Sequence, residues 1–118
     1  LRESQVEAYL VRLVKELGGL AVKLGVWGWP DRIILLPGGR IGFLELKRPG
    51  EVPRELQTRR LASLVKLGFM AEWASTPQEV STFLERLCGI PSSYETTKNK
   101  CGASPCSASD ARSGLTLA

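Results

Sequence analysis

The chain has 118 residues, of which 43% are hydrophobic and 24% charged, with a net charge of +4; this balance fits one folded domain and excludes a disordered chain. No apolar run approaches the roughly 20 residues that span a bilayer, and the amino end mixes charges into every turn, which excludes a signal peptide. There is no histidine, so histidine acid–base chemistry, histidine metal ligands and a Ser-His-Asp triad are excluded together. Any catalysis falls to carboxylates, Lys, Tyr, Cys or a metal held by oxygen, and the mild basic charge is compatible with a polyanionic partner.

From Glu3 to Leu17 the apolar residues Val6, Leu10, Leu13, Val14 and Leu17 follow the stripe of an amphipathic helix. Ser4 is its expected N-cap, Glu7 completes a capping-box pattern, and Gly18-Gly19 ends it. Leu20 to Leu24 reads as a short strand with Lys23 pointing off it, and Gly25 to Pro30 as a loop bearing glycine and tryptophan. Two strong strand signals follow, Asp31 to Leu36 and Arg40 to Lys47, joined as a hairpin by Pro37-Gly38-Gly39. Pro49 to Pro53 breaks the chain. A second helix is predicted from Arg54 to Leu67, with Leu56, Leu61, Leu64, Val65 and Leu67 as its apolar members and Gly68 as its stop. Phe69 to Ala74 is a further strand. Thr76-Pro77 opens a third helix whose Val80, Phe83, Leu84 and Leu87 face inward. The order αβββαβα predicts an α/β domain with a central mixed sheet flanked by helices.

Composition changes near Cys88. Gly89 to Ala118 is rich in Ser, Thr, Gly and Ala and almost free of large apolar residues, so it cannot bury enough surface to offset its ordering entropy. The expected division is a domain over 1–87 and a flexible or foreign tail over 88–118. Cys88, Cys101 and Cys106 match no zinc or disulfide pattern and read as free thiols in a reducing compartment. Leu1 is not Met, which reads as a fragment, a processed product or a trimmed chain.

The hairpin carries the chemistry. With Gly38 at the centre of a three-residue loop, Leu35 faces Ile41, Ile33 faces Phe43 and Asp31 faces Glu45, on one side of the pair. A slip of one residue would set Arg32 against Glu45 and Ile34 against Phe43. The first register offers a divalent cation two carboxylates from neighbouring strands, which suits Mg²⁺, with the backbone carbonyl of Leu46 as a third ligand. Such an ion polarises a phosphate and lowers the pKa of a bound water. Lys47, two residues past Glu45 and on the same face, would orient that water and stabilise charge growing on the phosphate. Glu7 would hold a metal-bound water or a second metal, and Gln57 would orient the shell around the ion. Each of these residues alone has a plainer reading: a solvated Glu-x-Lys pair, a turn-forming Pro-Asp, a capping Glu. The combination is more specific, because Glu45 interrupts the apolar run Ile41 to Leu46, where an unmatched charge is costly.

Gly28-Trp29-Pro30-Asp31-Arg32-Ile33, then Phe43-Leu44-Glu45-Leu46-Lys47 followed by Pro49-Gly50, then Leu56-Gln57, resembles the PD-(D/E)XK nucleases. Within that superfamily the pattern is similar to the VRR-NUC group, the virus-type replication-repair nuclease domain. The resemblance takes in Glu7 and covers roughly residues 3 to 87. It implies the restriction-endonuclease-like fold, Asp31 and Glu45 as metal ligands, Lys47 as the catalytic lysine, and Glu7 and Gln57 in support. Glu3, one turn from Glu7 on the same face, competes for the role carried over to Glu7. The cofactor implied is Mg²⁺, with Mn²⁺ as a substitute and no small-molecule cofactor. The partner implied is DNA, not a membrane, and the place is the cytoplasm of a bacterium or phage-infected cell. Stand-alone members resemble Holliday-junction resolvases and are associated with homodimers that cut branched DNA, so a structure-selective endonuclease is the leading expectation. An exonuclease or restriction-like enzyme for duplex ends, or a silent DNA-binding or interaction module, are the alternatives, the last disfavoured by the intact Asp31, Glu45 and Lys47.

Lys23, Arg32, Arg48, Arg54, Arg59 and Arg60 flank the proposed site in sequence and are candidate phosphate contacts. Trp27 and Trp29 are candidates for core packing, a dimer contact or base stacking.

Overall fold

The computed structural model describes residues 3–90. The tail expectation, with Cys101 and Cys106, therefore lies almost wholly outside the described residues, while Cys88 is a free, exposed thiol. The elements are α1 (Glu3–Glu16), β1 (Leu20–Lys23), β2 (Arg32–Leu36), β3 (Arg40–Leu46), α2 (Glu55–Lys66), β4 (Met70–Ala74) and α3 (Pro77–Cys88). This is the predicted order, with ends moved by a residue or two. No helix among the described residues is long and apolar enough to cross a membrane.

The strands form one sheet in the order β1-β2-β3-β4, antiparallel twice and then parallel between β3 and β4. A parallel neighbour needs a crossover, and α2 provides it. In the hairpin Ile33 pairs with Phe43 and Leu35 with Ile41, the register expected from a loop centred on Gly38. Gly38 and Gly39 take φ of 87° and 74°, the left-handed region that such a tight turn requires.

The sheet is covered on both faces because consecutive strand residues point opposite ways. On one face Ile34, Leu36, Leu44, Leu46 and Ala74 meet Val6, Leu10 and Val14 of α1 and Val80, Phe83, Leu84 and Leu87 of α3. On the other, Phe43 and Ala71 pack against Leu61 and Leu64 of α2, with Leu24, Trp29 and Ile33 at the margin. Three expectations need correction. Ser4 lies inside the first turn of α1, so it is not the N-cap. Leu17 stays partly exposed at the end of α1. Val65 and Leu67, predicted as apolar members of the second helix, are also exposed. Among the described residues β4 is the edge of the sheet, and no further strand lies under the outer flank of α2.

The third helix begins as its sequence requires, with Pro77 in the first turn and the Thr76 hydroxyl accepting from the Glu79 N–H at 3.1 Å. It ends on Gly89, and the Arg40 Nε–H donates to the Ile90 carbonyl at 2.6 Å, so contacts with the sheet continue past Leu87.

Gly42 sets how closely α3 approaches β3. A Cβ there would lie 2.9 Å from Phe83 Cζ and 3.0 Å from Leu87 Cδ2, both in the core. Gly42→Ala is therefore expected to destabilise the domain by about 1–2 kcal/mol, overpacking outweighing the stiffer unfolded chain. Urea denaturation measures this, and an unchanged midpoint would mean that α3 can shift freely.

Candidate active site

The site forms where the start of β2 meets the end of β3. Pro30 is fully buried and leads into Asp31, whose carbonyl accepts from the Leu24 N–H at 2.9 Å. The two acids are tied to each other's strands. The Asp31 N–H donates to Glu45 Oε1 at 3.1 Å, and the Leu46 N–H donates to Asp31 Oδ2 at 3.0 Å. Asp31 is half-buried, and its other carboxylate oxygen accepts no hydrogen bond from the described residues.

Glu45 is 2% exposed, the one buried charged residue among those described. Its neighbour on β4 is Trp73. A charge removed from water to this degree must be met by donors, and Glu45 has three. Besides the Asp31 amide, Gln57 Nε2 donates to Oε2 at 2.9 Å and Lys47 Nζ stands 3.2 Å from the same oxygen. Burial pushes the Glu45 carboxyl above the usual range, and the adjacent negative charge of Asp31 pushes it further. Lys47 and the Asp31 amide pull it back.

Gln57 is oriented by α2 itself. Its Oε1 accepts the Arg54 N–H at 3.0 Å, at the start of the helix, so its NH₂ group is the one that faces Glu45. Lys47 is placed by the sheet: its N–H donates to the Ala74 carbonyl at 2.9 Å, continuing the β3–β4 ladder. Its side chain is largely buried beside Glu45.

Two recesses flank Asp31. One, of about 220 Å³, is lined by Glu3, Glu7, Lys23 and Leu46 as well as Asp31. The other, of about 300 Å³, is lined by Trp27, Arg54, Leu56 and Gln57 with Asp31. Glu7 thus reaches the rim of the site, but its carboxylate pairs with Arg32 Nη2 at 2.6 Å. Among the described residues no three His, Cys, Asp or Glu side chains cluster closely enough to hold a metal ion. The two carboxylates at hand are Asp31 and Glu45, and Leu46 lines the recess beside Asp31.

The basic residues divide. Arg32, expected to contact phosphate, is spent on Glu7 and on the Ala21 carbonyl, 2.9 Å from its Nη1. Arg60 lies over the Trp29 ring at 4.7 Å, and Trp29 packs on Phe43 with ring centroids 6.3 Å apart, so both are half-buried and held against the sheet. Arg48 pairs with Glu51, and Arg59 with Glu55, on the exposed surface. Lys23 and Arg54 are exposed, one at each recess, and neither forms an ion pair among the described residues.

The chain is 45% identical over 71 residues to "Putative nuclease p44" of Acyrthosiphon pisum secondary endosymbiont phage 1, a match covering 58% of this chain and 76% of that protein. A solved VRR_NUC domain superposes with a TM-score of 0.65 at 31% identity, covering 70% of this chain and 94% of that one. The chain belongs to the VRR-NUC family. No family model matches it.

The VRR-NUC fold thus accounts for the mixed sheet and its flanking helices. Sequence reasoning missed the double use of Gln57 and the Glu7–Arg32 pair. An acid at the helix-1 position and an arginine after Asp31 were both visible, but nothing local signals that they meet. Gln57→Ala removes one bond to a buried charge and another at the start of α2. It is expected to cost about 1.5–3 kcal/mol in metal-free protein, read by urea denaturation. A loss below about 0.5 kcal/mol would mean that water replaces the amide at no cost.

Proposed function

We propose that this VRR-NUC domain is a metal-dependent endonuclease that hydrolyses DNA phosphodiesters at Asp31, Glu45 and Lys47. The observation that carries the reading is Glu45: a carboxylate buried in the sheet, with Asp31 beside it at the mouth of two recesses. The donor chemistry fits a hard divalent cation. Two adjacent carboxylates are matched by one lysine, and the upward pressure on the Glu45 carboxyl is what a bound cation relieves. Asp31, Glu45 and the Leu46 carbonyl would hold it. Bound Mg²⁺, or Mn²⁺ in its place, supplies Lewis-acid polarisation of the phosphate and a more acidic water.

The chain's own groups do the rest. Lys47 holds an ammonium beside Glu45, where it orients the attacking water and offsets charge developing on the phosphate oxygens. Gln57 keeps the Glu45 carboxylate from turning away, through the bond to Oε2. Glu7 serves the site from across its recess by fixing Arg32 against β1. Lys23 and Arg54 receive phosphates on either side of the cut.

Asp31→Ala and Glu45→Ala are expected to abolish cleavage and the thermal stabilisation by Mg²⁺, with DNA binding retained. Lys47→Ala is expected to slow the single-turnover rate by about 10²-fold or more while the stabilisation by Mg²⁺ persists. An Asp31→Ala protein of wild-type turnover would overturn the site. Loss of the Mg²⁺ effect in Lys47→Ala would make the lysine part of the metal shell.

The preferred substrate on this reading is branched DNA such as a four-way junction. Its approximate two-fold symmetry calls for two cuts, and one domain holds one Asp31–Glu45 pair, so a second copy supplies the other. The edge strand β4 favours this, since Trp73 is 40% exposed there with Phe69 and Val65 also open. Sedimentation at micromolar concentration is expected to give a dimer, and Trp73→Glu a monomer that nicks junctions without pairing its cuts. Paired cuts by a strictly monomeric wild-type protein would overturn the dimer.

A further inference from the structure

Trp27 is 75% exposed, an indole left in water at the recess that Asp31 also lines. The turn that carries it is held at several points. The Trp29 N–H donates to the Val26 carbonyl at 3.1 Å, closing a β-turn in which Gly28 takes a φ of 82°. A Cβ on Gly28 would lie 2.7 Å from Leu56 Cδ2, so the turn sits directly against α2. Trp29 is fixed between Arg60 and Phe43, and Pro30 is buried. A well-packed turn therefore half-buries one tryptophan against the core and presents the other. The recess behind it also exposes Leu56 and Arg54, and it shares Asp31 and Gln57 with the catalytic centre.

We propose that this recess is a subsite for one unpaired nucleotide next to the scissile phosphate. Its base stacks on Trp27 and against Leu56, and its phosphate meets Arg54. The inference rests on the nuclease reading, which places the cut at Asp31. Two features favour a nucleotide as the occupant: the recess is lined by Asp31 of the proposed catalytic pair, and its aromatic and aliphatic side chains are edged by Arg54, a cation that has no ion pair among the described residues. A base within a duplex has both faces covered by its neighbours, and freeing one costs unstacking energy. The subsite therefore selects DNA in which a nucleotide beside the cut is already unpaired, as at a branch point or a flap. Stacking accepts every base, so selection is by structure and not by sequence.

The test uses the full chain in EDTA, where nothing is cut, with labelled single-stranded oligo-dT and the same strand annealed to oligo-dA. Wild-type protein is expected to bind the single strand with quenching of tryptophan fluorescence. Trp27→Ala should weaken that binding about tenfold relative to the duplex, and Trp27→Phe should recover most of it. If Trp27→Ala and wild type discriminate the two probes equally, the subsite is wrong even if DNA is cleaved in Mg²⁺. If discrimination depends on Trp27 but no DNA structure is cleaved in Mg²⁺, the nuclease reading falls, and the recess stands as a nucleotide-binding site with no cut beside it. A Trp27→Ala protein that loses self-association and keeps oligonucleotide affinity also overturns the proposal, since Trp27 is then a contact between copies.

Discussion

Glu45 is a carboxylate at 2% exposure, on a strand with packed residues on both sides. A single ion so placed costs several kcal/mol unless its charge and its lone pairs are met. The neighbouring elements meet them from three directions: the β2 backbone through the Asp31 amide, the strand end through Lys47, and α2 through Gln57. The remaining imbalance comes from Asp31, which adds a second negative charge where only one lysine answers it. A site held slightly too negative by its own packing is suited to a divalent cation.

The surrounding fold keeps that arrangement rigid. β3 is paired on both sides, so its end cannot rotate, and Gly42 lets α3 lie close beneath it. The crossover to a parallel β4 brings α2 over the opposite face with its first turn at the site. That end of a helix carries the positive end of the dipole and unpaired N–H groups, which favour nearby carboxylates. Gln57 uses the geometry twice, satisfying the start of its helix with its oxygen and Glu45 with its nitrogen.

The basic residues show how little net charge says about a binding face. Six were candidates for phosphate contact. Arg32 and Arg60 serve the interior, and Arg48 and Arg59 pair with acids of their own segments. Lys23 and Arg54 are left, on opposite sides of Asp31. The tryptophans divide in the same way, Trp29 against the margin of the core and Trp27 into solvent.

What the sequence determined alone was local and periodic. Helix stripes, the alternation of strands and the hairpin loop follow from geometry within a few residues, and with the loop centred on Gly38 they set Asp31 against Glu45 and bring Lys47 to the same face. The capping of the third helix was legible in Thr76-Pro77 for the same reason. Only the tertiary structure decided the pairings between elements. Glu7 meets Arg32, Arg60 covers Trp29 and Gln57 reaches Glu45 because packed layers set their separations, and no pattern along the chain encodes those distances. Ser4, Val65 and Leu67 departed from expectation on similar grounds. A capping motif or an apolar position states what a residue can do; where the helix begins, and whether a neighbouring strand exists to cover it, depends on how the whole domain closes.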